Sequence, residues 1–423
     1  MHAIEVVAAA LFALALVHTF STKYFERLAH RHPRHAGLLH LLGEVEVVFG
    51  FWATLLVLAM AAIGGGAQAI AYAESRQYTE PLFVFVIMVV AASRPVVDLI
   101  GSLVATIARA VPGRTMVAQV WLCLALVPLI GSLITEPAAM TLAALMLASL
   151  VFRPGLPEGV KYGALGVLFV NISVGGTLTS FAAPPVLMVA STWNWDSAFM
   201  ATHFGWRAVS TVLINATVMT LVLRRHLLDV PVAAAAPASA NGGQSAARVP
   251  RIVSFIHLAF LAAVVAFAHH PVIFLGLFLL FLGFTQAYAR YQTPLILKEA
   301  LLVGFFLAGL VVLGGLQQWW LQPIVSSLQP TALFFGALGL TAITDNAALT
   351  YLGSLIAGIS DPAKYMLVAG AVAGGGLTVI ANAPNPAGIA LLRRGFNDES
   401  IGAGGLLLGA ALPTAVAAVM FLL

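Results

Sequence analysis

Apolar runs of about 17 to 30 residues recur along almost the whole of this 423-residue sequence, separated only by short polar segments. Runs of that length match the roughly 20 residues with which a helix crosses the ~30 Å hydrocarbon core of a bilayer. Charge agrees with length. Only 9% of residues are charged and mean hydropathy is +0.99, whereas a soluble domain carries roughly 25% charged residues. So little charge cannot cover a water-facing surface, and with no water at membrane depth the backbone must satisfy itself in helices. The fold class expected is therefore all-α integral membrane, with membrane lipids as surroundings. The net charge of +4 does not point to nucleic acid, because the basic residues cluster in short loops between apolar runs, which is a topology signal. The lone cysteine, Cys123, allows no internal disulfide and is expected to be a packed helix residue. The first run, Ile4 to Phe20, reads as a membrane helix and not a signal peptide. Acidic Glu5 lies at its start, Lys23 follows it, and no small-x-small cleavage site ends it.

The runs divide into two series of the same order. In the first, Pro81–Ala110 is interrupted at Ser93-Arg94-Pro95. Met116–Val151 carries Thr135-Glu136-Pro137 at its middle, and Tyr162–Ala190 contains Gly175-Gly176 and Pro184-Pro185. In the second, Thr331–Gly358 carries Thr344-Asp345-Asn346, and Met366–Leu392 contains Gly374-Gly375-Gly376 and Pro384-Asn385-Pro386. Between the series, residues 226–250 are rich in Ala, Pro, Gly and Ser and read as a flexible linker. The match extends to residues. Thr135-Glu136-Pro137-Ala138-Ala139-Met140-Thr141 aligns with Thr344-Asp345-Asn346-Ala347-Ala348-Leu349-Thr350, and Gly175-Gly176-Thr177-Leu178-Thr179 aligns with Gly374-Gly375-Gly376-Leu377-Thr378. Two motifs in one order at nearly one separation indicate duplication.

The expected organisation is a first repeat over residues 1–225, a cytoplasmic linker over 226–250 and a second repeat over 251–423. Each repeat would hold about five transmembrane helices plus a re-entrant hairpin (about 116–152 and 331–359) and a broken helix (about 160–192 and 365–392). An odd number of crossings per repeat inverts the second relative to the first. Charge sets the orientation. With both termini in the periplasm, every Lys and Arg lies in a cytoplasmic segment except Arg76, Arg207 and Lys364 outside and Arg94 within a span. Paired full crossings in place of hairpins would leave the loops on the same sides. The tips favour hairpins, because Thr-Glu-Pro and Thr-Asp-Asn are short and sit between apolar residues.

Broken helices at membrane depth are tolerated where the freed backbone faces protein or a wet cavity, and matched interruptions in two halves point to a transport site. Here they are Gly175, Gly176 and Thr177 in one repeat, and Gly375, Thr378, Asn382 and Asn385 in the other. A carboxylate at membrane depth costs roughly 2.5–3.5 kcal/mol on insertion scales and usually marks an ion path. Glu136 and Asp345 occupy matching places, and Thr135, Thr141, Thr344, Asn346 and Thr350 supply uncharged oxygens beside them. This is hard-ligand chemistry suited to Na⁺ at Glu136 and Asp345, and not to a soft metal. The competing account is pairing of an acid with a base such as Arg94. Asp98 is a secondary candidate that lies one turn from Arg94; Glu44 and Glu46 are weaker. The histidines His30, His32 and His35 share a basic loop with Arg31 and Arg34, which reads as a solvated surface and not a metal patch. No zinc-protease pattern, phosphate loop or nucleophile elbow occurs, and no resident cofactor is expected.

The hairpin tip followed by a glycine-and-proline broken helix, repeated with inversion, resembles the ion transporter superfamily of arsenite pumps, sodium/proton antiporters and dicarboxylate transporters. Ser173-Val174-Gly175-Gly176-Thr177, leading to Pro184-Pro185, looks like the dicarboxylate branch. Thr344 to Thr350 looks more like the antiporter and arsenite-pump branch. Nearly the full length is similar to a bacterial family of Na⁺/H⁺ antiporters, including Leu302-Val303-Gly304-Phe305-Phe306 and Gln317-Gln318-Trp319-Trp320. Dicarboxylate transporters carry neutral Ser-Asn-Thr at the tips, whereas the fixed charges of Glu136 and Asp345 would repel a carboxylate. The resemblance thus implies a multi-pass protein of the bacterial inner membrane that exchanges Na⁺ and H⁺ by alternating access, with small cations as partners and a homodimer as assembly. A Na⁺-coupled transporter of an organic or inorganic anion, a channel, and an intramembrane enzyme with Glu136 and Asp345 as an acid pair stay open as alternatives.

Overall fold

The computed structural model describes residues 2–111, 115–227 and 248–423. Most of the expected linker, 226–250, lies outside them. The described residues form helices and connecting turns, with no strand among them. Five helices are long and apolar enough to cross a membrane: Val45–Gly64, Glu158–Leu178, Ser197–Leu227, Leu297–Gly314 and Ala403–Leu422. Two bent pairs raise this to as many as 7 spans: Thr79–Ala91 with Arg94–Arg109 at 62°, and Thr115–Leu124 with Leu126–Ile134 at 41°. The protein is a multi-pass membrane protein. The expected ten crossings exceed this number because several helices are short. Arg251–Ala266 and Pro271–Ala287 have 16 and 17 residues, about 24–26 Å at 1.5 Å per residue against ~30 Å of hydrocarbon.

Both interruptions expected from glycine and proline are present. The helix Glu158–Gly175 tightens into a 3₁₀ turn at Gly176–Leu178 and resumes as Pro184–Trp193. In the second half Asp361–Gly374 stops and Asn385–Leu392 resumes. Proline near each restart suits the first helical turn, where a missing N–H costs no hydrogen bond. Each broken helix follows a pair of packed arms. The first pair is Thr115–Leu124 and Leu126–Ile134 turning at Thr135 into Glu136–Ala148; the second is Pro330–Thr341 turning into Asn346–Ser354. The bend in the first arm has an identifiable cause. Pro128 has no N–H for the Leu124 carbonyl four residues back, and the buried Asn171 Nδ2 donates to that carbonyl instead, at 2.8 Å.

The halves exchange partners. Glu136–Ala148 packs on Asn385–Leu392, and Asn346–Ser354 packs on Pro184–Trp193. Glycines allow the closeness: a side chain on Gly175 would run into the backbone of Pro128, and one on Gly374 into that of Leu338. A second group comprises His2–Arg31, Val45–Gly64, Thr79–Ala91, Arg251–Ala266, Pro271–Ala287 and Leu297–Gly314. It is joined through close backbone approaches such as Gly309 on Phe49 and Gly50, the small-residue packing used where lipid supplies no hydrophobic drive. The two groups meet along a thinner seam lined by Thr79–Ala91.

Candidate functional site

Glu136 begins the second arm of the first pair and is wholly buried. Its Oε2 accepts a hydrogen bond of 2.6 Å from Asn382 Nδ2, in the break of the second broken helix. Its Oε1 has no partner. Gly176 of the first broken helix lies against the same carboxyl: a Cβ there would fall 2.5 Å from Oε1. The residue before Asn382 reaches the other pair of arms, since the Ala381 carbonyl accepts from the Asn346 N–H at 3.1 Å. Residues 381 and 382 thus touch Asn346 and Glu136, the first helical residues of the two second arms. Asn346 is also wholly buried, with neither amide atom bonded. It lies beside Gly375, where any side chain would collide with Ser173 of the first broken helix.

Unpartnered buried polar atoms concentrate here. Besides Glu136 Oε1 and the Asn346 amide they include Thr135 Oγ1, Thr341 Oγ1, Asn382 Oδ1 and Asn385 Oδ1. Burying a polar group without a hydrogen bond costs about 1–3 kcal/mol by mutational measures, so such a concentration calls for an explanation. One full carboxylate and several neutral oxygens form a hard donor set that fits a small cation.

The breaks themselves are satisfied. Ser132 Oγ donates to the Gly175 carbonyl at 2.6 Å and accepts from the Leu178 N–H at 2.9 Å, while Thr179 Oγ1 donates to the Ser132 carbonyl. In the second break Asn385 Nδ2 donates to the carbonyls of Gly375 and Thr378, at 2.8 and 2.9 Å, and Thr378 Oγ1 donates to Ala342. The irregular stretches themselves are half-buried, at Leu178–Phe181 and at Thr378–Ile380, facing protein on one side and open space on the other, as freed backbone in a membrane protein is tolerated to do.

The remaining expected residues behave differently. Asp345 and Glu136 are within electrostatic range and share no hydrogen bond. The Asp345 carboxylate caps its own helix, accepting from Ala347 and Ala348 N–H at 2.8 and 3.2 Å. The hydroxyls of Thr141, Thr177 and Thr350 donate to carbonyls one turn back along their own helical stretches, and Thr344, just past the end of Pro330–Thr341, donates to the Leu340 carbonyl. Asp98 is half exposed and paired with Arg94 at 3.1 Å, which is the pairing that competed with an ion role. His30, His32 and His35 are exposed, and no cluster able to hold a metal occurs among the described residues. Cys123 is packed in the core against Met146. Ser132 and Thr179 were not among the expected site residues. The signal for both was in the repeat. Ser132 stands three residues before Thr135 as Thr341 does before Thr344, and Thr179 is the aligned counterpart of Thr378.

A family model described as "Putative Na+/H+ antiporter" matches residues 3–423. No curated protein matches the sequence. Among solved structures the chain is similar to the YdaH transporter of Alcanivorax borkumensis at 13% identity, over 89% of this chain and 96% of that one. The TM-score of 0.43 is too low for its arrangement to be transferred.

Proposed function

Because this chain belongs to the Na⁺/H⁺ antiporter family whose model it matches over residues 3–423, and so to a family of transporters, we propose that it exchanges Na⁺ for H⁺ by alternating access, with Glu136 as the ion-carrying residue. The observation that carries this reading is the fully buried carboxylate with one oxygen held by Asn382 and the other unpartnered, at the meeting point of two hairpin tips and two broken helices. Na⁺ requires the ionised carboxylate, so a proton and Na⁺ exclude one another there. Competition couples the two ions provided the empty carboxylate does not reorient. Thr135, Asn346 and Asn382 would contribute neutral oxygens, and the charge of Asp345 would add to the attraction without direct contact.

The two series of helices are proposed to be inverted repeats. Support comes from the reciprocal packing of each hairpin on the other half's broken helix. In the second half it comes also from arm length: arms of 12 and 9 residues reach only ~18 and ~14 Å, which suits a re-entrant hairpin. The hairpins and broken helices would move together against the second group, along the thinner seam. The proposed location is the bacterial inner membrane with both termini periplasmic, on the strength of the Lys and Arg distribution. The test is dissipation of an imposed pH gradient in proteoliposomes on addition of Na⁺, Li⁺ or K⁺. Wild-type protein is expected to respond to Na⁺ and Glu136→Gln to give no response. A Glu136→Gln protein that exchanges normally would refute the assignment.

A further inference from the structure

Two cavities lie one behind the other along the seam. The outer, of about 230 Å³, opens beside the loop that follows the first broken helix, and Glu80, Asp196, Ser197 and His269 border it. The inner, of about 10 Å³, holds no more than about one water. Its wall is apolar except for Thr135, whose hydroxyl is buried and makes no hydrogen bond. Phe181, in the irregular segment of the first break, borders both cavities. The next residue along from Thr135 is Glu136.

We propose that the two cavities are the outer access route by which a small hydrated cation reaches Glu136, and that the Phe181 ring is the closure between them. The outer cavity is built to collect cations. Glu80 is held by Ser191 Oγ at 2.7 Å and Asp196 by the Phe199 N–H at 2.7 Å, so two fixed carboxylates face a concave mouth and raise the local cation concentration. The inner cavity is too narrow for an ion with its water shell, and an apolar ring across such a constriction blocks passage by dewetting. The ring is not free to swing alone. Its neighbour Ser180 is bonded through both N–H and hydroxyl to Ser197, so opening couples the break to the outer loop. The proposal depends on the Na⁺/H⁺ reading only for what passes; the route and its closure rest on the two cavities and the residue they share.

The experiment measures access without requiring transport. In a Cys123→Ser background, a single reporter cysteine is placed on the inner wall at Thr135 or at Ala383, and a third protein carries one at Ser197 in the outer cavity. A membrane-impermeant cationic thiol reagent is added outside intact cells. Ser197→Cys is expected to label readily, and the two inner reporters slowly. Phe181→Ala should speed both inner reporters several-fold and Phe181→Trp should slow them, with Ser197→Cys unchanged. Inner labelling rates indifferent to Phe181, with Ser197→Cys still reactive, would overturn the proposal. So would inner reporters that label only from the cytoplasmic side. Adding Glu136→Gln should leave the pattern intact, so loss of the ion assignment and loss of the route are separate results.

Discussion

Thr135 holds a backbone conformation that its side chain resists. It has φ 80° and ψ 151°, a region that is nearly glycine's alone, and a β-branched residue there is strained by about 1–3 kcal/mol. The hydroxyl is buried without a hydrogen-bond partner, on the wall of the inner cavity next to Glu136 in sequence. Two substitutions separate these properties. Thr135→Gly should raise the thermal midpoint in detergent, because it relieves strain. Thr135→Val keeps the shape and strain, and should weaken apparent Na⁺ affinity by about 1 kcal/mol or roughly fivefold, read from the Na⁺ dependence of exchange. The two acids should part company as well. Asn is as good a helix cap as Asp, so Asp345→Asn removes charge and keeps the fold. A charge acting without contact contributes about 1–2 kcal/mol, and that variant should exchange with about tenfold weaker Na⁺ affinity. Competition at Glu136 also fixes a sign with pH. Protonation removes the charge that Na⁺ needs, so the Na⁺ concentration for half-maximal rate should rise as pH falls, by up to about tenfold per unit. The sequence disclosed Glu136 through its depth in an apolar run. It could not disclose that Asp345 caps its helix, because one carboxylate starts its helix as the first helical residue and the other precedes its helix by one, and aligned residues look the same on paper.

The helices are interrupted where glycine and proline stand, and each interruption brings its own replacement hydrogen bonds. Asn171 serves the Leu124 carbonyl freed by Pro128 and accepts from Asn215 Nδ2 at 3.0 Å. Removing its amide leaves a buried carbonyl unpaired, at a cost of about 1–3 kcal/mol. Asn171→Leu should therefore lower the thermal midpoint while leaving residual Na⁺ dependence in the protein that stays folded. Ser132→Ala should do the same to the first break alone. Gly176→Leu belongs to a different class: its side chain would occupy the space of the Glu136 carboxyl, and transport should be lost with the protein still inserted. The breaks, and the turns before Glu136 and Asn346, show in the sequence because glycine, proline and isolated acids stand out against apolar residues. Asn385 and Thr378, which fill the second break, were among the expected residues; Ser132 and Thr179, which fill the first, were not, because a hydroxyl inside an apolar run carries no mark of which neighbour it will meet. Thr179 could have been found opposite Thr378 in the aligned motif, and Ser132 by extending the other motif three residues back from Thr135.

At the scale of the molecule, the orientation can be checked from both sides. A single cysteine at Arg248 should be shielded from impermeant thiol reagents in whole cells, while one at Asn194, after the first broken helix, should be reached from outside. The opposite pattern would overturn the inverted arrangement. Composition disclosed the membrane class, and the recurrence of motifs gave the expectation of two series. Neither could show that a hairpin of one half packs on the broken helix of the other, since such pairings depend on contacts between residues hundreds of positions apart. That separation has a consequence in time. The Glu136 carboxyl and its Asn382 donor are 246 residues apart, and at about 5–20 residues per second a ribosome needs roughly 10–50 s to make the intervening chain. Throughout that interval Glu136 would wait in the bilayer as half of the proposed site. Nascent chains halted before Ala381 should be recognised as defective and degraded. Supplying residues 248–423 as a separate polypeptide should protect them, because the missing half of the site would then arrive in trans.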